Sequence, residues 1–263
     1  MSQRSEKPGV QINDAHVFLC RTDSAEDPDL LERYHALLDP EERERFSRFR
    51  FERDRRAFLI SHALVRVSLS QFADVSPVAW RFRRNAHGRP EIDQPTLMPL
   101  RFNLSHTRDL VACVVRRGLE VGIDVEAARD CSDLVALAER FFAPSEAAAL
   151  RALPVVERSH RFYSLWTLKE AYAKARGLGF AFPFHRVAFQ ITKGVIETKF
   201  DPEIADRAAA WSFSLMRPTP QHWLAVALQV SGASGPHLKL NWFLPLTNAT
   251  TADPCPIIAA TPR

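Results

Sequence analysis

The sequence has no closely spaced cysteines. Its four cysteines, Cys20, Cys113, Cys131 and Cys255, are scattered along 263 residues, and no CxxC pair occurs. Zinc sites and disulfide frameworks both need cysteines at short or regular spacings. The pattern therefore argues against both classes and favours reduced thiols in a cytoplasmic protein.

Long apolar segments are also missing. The opening residues, MSQRSEKP, are polar and charged, and no apolar stretch follows them, so we expect no secretory signal. The longest apolar runs, such as residues 110–115, are far shorter than the ~20 residues that cross a bilayer. The sequence therefore predicts a protein without a membrane span.

Lysine is scarce. Only six of the 35 basic residues are lysines, and two of them, Lys169 and Lys174, lie within one predicted helix. A lysine ammonium is a compact, titratable charge, whereas a guanidinium is a permanently charged fork. The two lysines are thus candidates for a site where arginine does not substitute. Chance placement on a solvated helix face is the alternative.

What is present describes an ordinary globular protein. Hydrophobic residues make up 46% of the chain, charged residues 25%, and the net charge is +4. Long helices are predicted over residues 52–72 and 156–176, each accompanied by strands. This is an α+β pattern compatible with two similar lobes, although no repeat is visible residue by residue.

Local signals place the other elements. Asp39-Pro40-Glu41-Glu42 predicts a helix start with Asp39 as N-cap. Ser132 is predicted to cap a helix ending at Phe142, Pro144 to open another, and Gly177 and Gly179 to end the second long helix. Strands are predicted over residues 17–20, 80–84, 110–116, 121–126, 187–191, 211–216, 223–230 and 238–243. The Thr-, Ala- and Pro-rich tail after Pro245 is predicted to be disordered.

Two segments indicate chemistry. In the strand GIDVE, period-two alternation sends Asp124 and Glu126 to one face. In the helical segment WTLKEAYAK, Trp166, Glu170 and Lys174 lie four apart on one face. Three carboxylates with an ammonium nearby suit a hard cation that holds a phosphate ester. Mg²⁺ prefers such oxygen ligands, and the sequence does not distinguish it from Mn²⁺.

Further polar groups are weaker signals when taken singly. The turn AHGRP presents Arg89, and the segment FNLSHT ends a strand with Ser105 and His106, whose donors suit phosphate oxygens. An isolated histidine near apolar residues is more often a satisfied core or turn residue than a ligand. The seven arginines within residues 43–56 are, by themselves, best explained as a solvated, salt-bridged helix pair.

Two other functions compete with phosphate-ester chemistry. A metal-dependent nuclease also uses acidic ligands and a lysine, and the net positive charge suits nucleic acid. Nucleases usually pair acid and lysine along one strand, whereas both lysines here are helical. A non-catalytic basic nucleic-acid-binding module leaves Asp124 and Glu126 unexplained, because unpaired buried carboxylates are costly. These remain the alternative predictions.

Five motifs carry a family resemblance. GRP (88–90), FNLSHT (102–107), GIDVE (122–126), FFAPSE (141–146) and WTLKEAYAKARGLG (166–179) resemble motifs of the 4'-phosphopantetheinyl transferase superfamily, in the same order. The first two are similar to those of its larger, surfactin-type members. The resemblance implies an intramolecular pseudodimer of two similarly folded α/β lobes that binds coenzyme A in the cleft between them. We place the lobes at residues 1–117 and 118–244, with a tail from 245 to 263, and expect a monomer.

The resemblance also implies a reaction. The enzyme would transfer the 4'-phosphopantetheine arm of coenzyme A to a serine of an apo acyl or peptidyl carrier protein and release adenosine 3',5'-bisphosphate. Nucleic acid is not expected as a partner. It does not identify the carrier. A serine proton would pass to Glu170 or to a water that Glu170 orients.

Residue roles follow from the same resemblance. Asp124, Glu126 and Glu170 would hold Mg²⁺, and Lys174 would stabilise the departing phosphate with Lys169 adding charge nearby. Ser105 and His106 would contact phosphate oxygens, Arg89 the adenosine phosphates, and Arg45 and Arg48 the 3'-phosphate, although Glu42 stands at or beside an expected basic position. Acidic carriers would dock electrostatically, with Phe180, Phe182 and Phe184 as the alternative apolar docking surface.

Overall fold

Groups of helices and groups of strands follow one another along the chain. The computed structural model describes residues 14–94, 99–128, 133–231, 235–247, 249–251 and 254–262. The helices are α1 (Pro28–Ala36), α2 (Pro40–Ser47), α3 (Glu52–Ser70), α4 (Leu134–Phe141), α5 (Pro144–Ala152) and α6 (Val155–Ala175). The strands are β1 (Ala15–Arg21), β2 (Arg81–Arg84), β3 (Pro90–Gln94), β4 (Leu100–His106), β5 (Leu110–Arg117), β6 (Val121–Ala127), β7 (Val187–Thr192), β8 (Val195–Phe200), β9 (Trp211–Thr219), β10 (His222–Gln229), β11 (Leu238–Phe243), β12 (Thr250–Thr251) and β13 (Ile257–Ala260).

The two halves of the chain repeat one arrangement. A strand is followed by three helices, a hairpin and two more strands: β1, α1–α3, β2–β3, β4 and β5, then β6, α4–α6, β7–β8, β9 and β10. In each half the last strand pairs antiparallel with both the first strand and the one before it, which gives the orders β1-β5-β4 and β6-β10-β9. The predicted α+β fold with two similarly folded lobes is confirmed.

Helix ends follow the local signals. Asp39 accepts from the Glu42 backbone N–H at 2.9 Å, and the Glu42 carboxylate accepts from the Asp39 N–H at 2.9 Å, which completes a capping box at α2. Gly177 and Gly179 end α6 with φ of +66° and +51°. The predicted cap Ser132 lies outside the described residues.

Three apolar cores separate the layers. One lies between α3 and the first sheet, and another between α6 and the second sheet. The third lies between the two sheets and includes Val17, Val114, Ile123 and Val226, each fully buried. Each sheet is therefore covered on both faces, which is why β5 is almost continuously apolar instead of alternating.

Gly122 permits the close packing of α6 on β6. A Cβ at this position would lie 2.0 Å from the carbonyl oxygen of Ala171 and 2.4 Å from the backbone nitrogen of Ala175. Both atoms belong to the backbone, which cannot rotate away as a side chain can. Gly122 thus sets the distance between the strand that carries Asp124 and the helix that carries Glu170 and Lys174.

The end of the chain differs from the prediction. The tail was expected to be disordered, yet β13 lies in the second sheet between β9 and β8, and β12 pairs with β11. The apolar run from Ile257 to Ala260 supplies this strand, and Ala259 is buried. The Thr, Ala and Pro content of the tail concealed that run.

Strand β11 also lies on an unexpected side. It was assigned to the second lobe, but it pairs parallel with β1 in the first sheet. The hairpin strand β8 was not predicted. None of the helices in the described ranges is long and apolar enough to cross a membrane.

Candidate functional site

Polar side chains of β4 join the two sheets. Asn103 Oδ1 accepts from the Ile123 backbone N–H at 2.9 Å, and Ser105 Oγ accepts from the Val125 N–H at 3.2 Å. Asn103 and Ser105 are both buried. Through these bonds β4 of the first lobe holds β6 of the second in register, and Ser105 comes to lie beside Asp124.

Lys174 completes a polar cluster with these two residues. Its Nζ lies 2.6 Å from Asp124 Oδ1 and donates to Ser105 Oγ at 2.8 Å, while Ser105 donates to the same Asp124 oxygen at 2.9 Å. Asp124 is buried, and Lys174 is partly exposed. The three predicted site residues, from two lobes and three elements, are thus in direct contact.

Two buried carboxylate oxygens near this cluster lack hydrogen-bond partners. They are Asp124 Oδ2 and Glu170 Oε1. Burial and the negative charge of Asp124 raise the pKa of Glu170 to about 7; Lys174 opposes this shift, and Glu126 adds to it. Unpaired buried carboxylate oxygens are costly, so their chemistry fits an additional cation.

Glu126 lies at the border between this cluster and the cavity described below. Its Oε1 accepts from Trp166 Nε1 at 3.2 Å. In the part of the chain that the structure describes, Asp124, Glu126 and Glu170 do not form a group of three ligands arranged to hold a metal ion. Lys174, at 2.6 Å from Asp124, supplies the neighbouring positive charge.

A cavity of about 940 Å³ opens beside the cluster. It lies mainly against the first lobe, between α2, α3, the β2–β3 hairpin and β4, and Glu126 is its lining residue from the second lobe. Its basic lining residues are Arg45, Arg53, His62, Arg66, Arg83, Arg84, His106 and Arg108. Aromatic rings of Phe49, Phe58, Phe82 and Phe102 line it as well. This combination suits a ligand with phosphates and a flat apolar ring.

Glu42 is neutralised within this cavity wall. Arg66 Nη2 donates to its Oε2 at 2.6 Å, and His62 Nδ1 lies 2.9 Å from its Oε1. Burial opposes ionisation, but the His62 bond, the charges of His62 and Arg66 and the Asp39 N–H outweigh it and lower the pKa of Glu42 to about 2. The carboxylate at this expected basic position is therefore paired with the Arg66 guanidinium and hydrogen-bonded to the His62 ring.

Some of the residues predicted to contact phosphate line the cavity, and others do not. His106 and Arg45 both line it. Burial, with the charges of Lys174 and His62, lowers the pKa of His106. Arg48 does not line it: its exposed guanidinium pairs with Glu44 one turn back on α2.

Lys169 lies away from the site. It is fully buried, its Nζ lies 2.7 Å from Glu146 Oε2, and it donates to the carbonyl oxygens of Phe184, at 2.9 Å, and Val187. Burial lowers its pKa, and Glu146 opposes that shift. The structure does not bring Lys169 to the site where we expected it to bind the cofactor, because adjacent helical residues point about 100° apart.

Arg89 is also placed elsewhere. Its Nη1 donates to Glu120 Oε2 and to the carbonyl oxygen of Ala175, each at 2.8 Å. It is absent from the lining of the cavity described above. In this structure the Arg89 guanidinium is therefore not placed to make the contact expected with the adenosine phosphates.

Sequence reasoning missed several residues of the cavity. Arg53 belongs to the arginine-rich stretch that was interpreted as a solvated helix pair, and its density of arginines was the available signal. Arg83 and Arg84 in β2 carried no motif. His62 and Arg66 lie four residues apart on α3, the spacing at which helical side chains share a face, and this was the available signal for them. Their shared partner Glu42 lies 24 residues before Arg66, a separation that no local pattern reports.

The comparisons with known proteins agree with this geometry. The profile of the 4'-phosphopantetheinyl transferase superfamily matches residues 120–227, and that described as 4'-phosphopantetheinyl transferase, N-terminal, matches residues 26–117. The boundary between the matches falls between β5 and β6, where the structural repeat begins again. Neither match supports the alternative prediction of a nuclease or a nucleic-acid-binding protein.

Individual relatives point to the same family. The chain is 33% identical to the 4'-phosphopantetheinyl transferase HetI of Nostoc sp. over 86% of this chain and 92% of that protein. It is 32% identical to a phosphopantetheinyl transferase of Thraustochytrium sp. over 77% and 74%, and 33% identical to the 4'-phosphopantetheinyl transferase Sfp of Bacillus subtilis over 58% and 66%. The chain belongs to the 4'-phosphopantetheinyl transferase superfamily and is one of its larger, Sfp-like enzymes.

Proposed function

We propose that this protein transfers the 4'-phosphopantetheine arm of coenzyme A to a serine of an apo acyl or peptidyl carrier protein and releases adenosine 3',5'-bisphosphate. The observation that carries the proposal is the contact of Lys174, Asp124 and Ser105 beside a cavity lined with basic and aromatic side chains. Coenzyme A offers the phosphates and the adenine ring that such a lining accommodates.

We further propose that Asp124, Glu126 and Glu170 hold Mg²⁺, or Mn²⁺ in its place. The unpartnered oxygens of Asp124 and Glu170 and the raised pKa of Glu170 support a cation there. Such an ion, when bound, neutralises pyrophosphate charge. Ser105 and Lys174 then fix Asp124 from one side, and Trp166 fixes Glu126 from the other.

The groups of the chain have separate tasks in the transfer. The carrier serine oxygen forms a bond to the phosphorus that bears pantetheine, and the bond from that phosphorus to the bridging oxygen breaks. Lys174 stabilises the charge that develops on the departing phosphate. The serine proton passes to Glu170 or to a water that Glu170 orients.

Basic groups of the first lobe bind the rest of coenzyme A. Arg45 and His106 line the cavity, and Arg53, Arg83 and Arg108 add positive charge for its phosphates. Phe58 lies under the Arg45 guanidinium at 5.6 Å, an arrangement that orients the cation. Ser105 contacts phosphate only if Lys174 releases it, since its hydroxyl already serves Lys174, Asp124 and Val125.

The direct test is carrier modification. The protein is incubated with coenzyme A, Mg²⁺ and an apo carrier protein, and the carrier is weighed by mass spectrometry. We expect a gain of one phosphopantetheine group and loss of this gain when the acceptor serine is replaced by alanine. An unmodified carrier across acyl and peptidyl types would contradict the proposal.

The metal proposal has its own test. Calorimetry of coenzyme A binding with and without Mg²⁺ should show metal-dependent tightening in the wild type and none in Asp124→Ala. The matched control is Glu139→Gln, an exposed carboxylate on α4 that pairs with Arg151. If Asp124→Ala keeps the metal dependence, Asp124 is not a ligand.

We infer a monomer, since the two lobes that form the cleft belong to one chain. We also infer a cytoplasmic location, because Cys20, Cys113 and Cys255 are free thiols, as is usual in a reducing compartment. Sedimentation of the purified protein tests the oligomeric state, and a stable dimer would contradict it.

A further inference from the structure

The turn between β2 and β3 lies against the end of α6. Asn85 Nδ2 donates to the carbonyl oxygen of Gly177 at 3.1 Å. Arg89 donates to the carbonyl oxygen of Ala175 and to Glu120, each at 2.8 Å. We call Asn85, Arg89 and Glu120 the latch.

The turn is shaped to present these groups. Asn85 Oδ1 accepts from the backbone N–H groups of His87 and Arg89, each at 2.9 Å, while Gly88 has φ of +84°. The oxygen of the Asn85 amide thus stabilises the turn, and its nitrogen binds Gly177, two residues after the end of α6. Contact with the helix end is close, because a Cβ at Gly177 would lie 2.9 Å from Asn85 Nδ2.

The helix end needs such partners. The last carbonyl groups of a helix have no intrahelical donor, and the partial negative charge there favours a cation. Arg89 supplies both a donor and a charge, and Glu120 fixes the guanidinium from the loop before β6. The Arg89 side chain is 10% exposed, so these bonds are shielded from solvent.

The latch joins the two lobes next to the reacting groups. Phe82 and Ile92 anchor the β2–β3 hairpin to the core of the first lobe. Ala175, whose carbonyl oxygen accepts from Arg89, follows Lys174 directly and lies about one and a half turns after Glu170. The latch therefore fixes the end of α6 relative to β4, the strand that supplies Ser105.

We propose that Asn85, Arg89 and Glu120 are positioning residues for the transfer reaction. They hold Lys174 and Glu170 in register with Ser105 and Asp124, and the charge of Arg89 is used within the protein instead of on a phosphate of coenzyme A. This inference rests on the proposed function and assigns a role to two residues, Asn85 and Glu120, that no motif marks.

Glu120→Gln is the informative variant, because it weakens the latch without removing any cation that could bind phosphate. We expect kcat to fall roughly 10- to 100-fold, as for a small misplacement of reacting groups. The dissociation constant of coenzyme A, measured by calorimetry, should stay within about twofold. Asn85→Ala should behave in the same way, and Asp93→Asn, an exposed carboxylate of β3 in the same hairpin, should match the wild type.

A double-mutant cycle tests whether the residues act together. Arg89→Ala with Glu120→Gln should have a kcat close to that of Arg89→Ala alone, since both changes break the Arg89–Glu120 contact. Glu120 also pairs with Arg101 at 3.1 Å, so Arg101→Ala, which removes only that second ion pair, should keep the wild-type kcat. Each kcat is normalised to the folded fraction, so that a loss of stability alone does not lower it.

Two results would overturn the latch. In the first, the dissociation constant of coenzyme A rises tenfold or more in Arg89→Ala, while kcat is unchanged in Glu120→Gln. That result would make Arg89 a phosphate ligand. The other is an unchanged normalised kcat in both latch variants, which would leave a purely structural contact. A wild-type protein that modifies no carrier would instead refute the proposed function itself, and with it any positioning role in transfer.

Discussion

Neighbouring residues on α6 have opposite environments. Glu170 is buried beside Asp124 with an unpartnered oxygen, whereas Lys169, one residue earlier, is buried on another face with Glu146 and two carbonyl oxygens. The first arrangement leaves charge uncompensated, and the second satisfies it. Uncompensated charge of this kind is typical of functional sites, and the two residues should therefore respond differently to substitution.

Glu170 should destabilise the metal-free protein at alkaline pH. Its pKa is about 7 when folded and 4.5 at its ordinary value, so between these the folded state binds more protons than the unfolded one, and stability falls as pH rises. The effect is about 3 kcal/mol at pH 8. Glu170→Gln should thus match the wild type in urea unfolding near pH 4.5 and exceed its stability at pH 8.

The control for that measurement is again Glu139→Gln, whose exposed carboxylate should leave the difference between the two pH values unchanged. A wild-type stability that rises between pH 5 and pH 8 relative to Glu170→Gln would show that the carboxylate is stabilised as an anion.

Lys169 and Lys174 should separate stability from catalysis. Lys169→Met leaves Glu146 buried without its cation, which should lower the free energy of unfolding by roughly 3–5 kcal/mol, and adding Glu146→Gln should recover part of it. Lys174→Ala should lower kcat about 100-fold or more. It also leaves buried Asp124 without its cation, but Lys174 is partly exposed and Ser105 still donates to Asp124, so the loss of stability should be smaller than for Lys169→Met. Denaturant unfolding and steady-state kinetics check both. A raised KM for coenzyme A in folded Lys169→Met would restore its expected binding role.

At the scale of elements, the site depends on how closely α6 approaches β6. The approach is possible because residue 122 has no side chain, and it brings Lys174 within 2.6 Å of Asp124. The same helix is held at its end by the β2–β3 turn. Catalytic geometry here is thus a property of packing between elements as much as of the catalytic residues.

Gly122→Ala should disrupt this packing. Its Cβ would overlap backbone atoms of Ala171 and Ala175, so α6 has to shift, at a cost of about 3 kcal/mol or more, above the ordinary range for overpacking. The folded fraction should also lose kcat, because Lys174 moves with the helix. Thermal unfolding and kinetics measure both effects.

Gly118→Ala provides the matched control. Gly118 has φ of +80° and open space around its would-be Cβ, so the substitution should cost only about 1–2 kcal/mol of backbone strain. It should leave kcat unchanged. Equal effects of the two substitutions would show that steric overlap at residue 122 does not matter.

Sequence patterns predicted helix ends and helix faces correctly where the signal lies within a few residues. The capping box at Asp39, the glycines after α6 and the four-residue spacing of Glu170 and Lys174 all act within a few residues. The positions of Lys169 and Arg89 depend on contacts with Glu146 and Ala175, which lie 23 and 86 residues away in the chain. Strand β13 was missed because its place is decided by β9 and β8, and composition does not report a pairing partner.

At the scale of the molecule, positive charge collects at the first lobe's side of the cavity. The net charge is only +4, yet six arginines from α2, α3, β2 and the β4–β5 turn face the same space, against the four first-lobe carboxylates Asp39, Glu41, Glu42 and Asp54. The alternative apolar docking surface is not available as predicted, since Phe182 and Phe184 are buried in the second-lobe core and the side chain of Phe180 is outside the described set. Electrostatic docking of an acidic carrier remains the prediction.

The KM for the carrier should therefore rise with ionic strength. Charges separated by more than about 8 Å are largely screened at physiological salt, so long-range attraction weakens further above it. Titration with NaCl at saturating coenzyme A measures the effect, and an uncharged solute at equal osmolarity is the control. A KM that does not change with salt would point to apolar docking.

The return of β11 to the first sheet links the lobes through the course of the backbone. A gene dissected between β5 and β6 would yield a first fragment whose β1 edge has lost its parallel neighbour. Unpaired edges invite association with other strands, so that fragment should self-associate when expressed alone. The same missing strand makes a specific acceptor: the second fragment, supplied in trans, carries the strand that fills it, and complementation of the split protein should depend on β11.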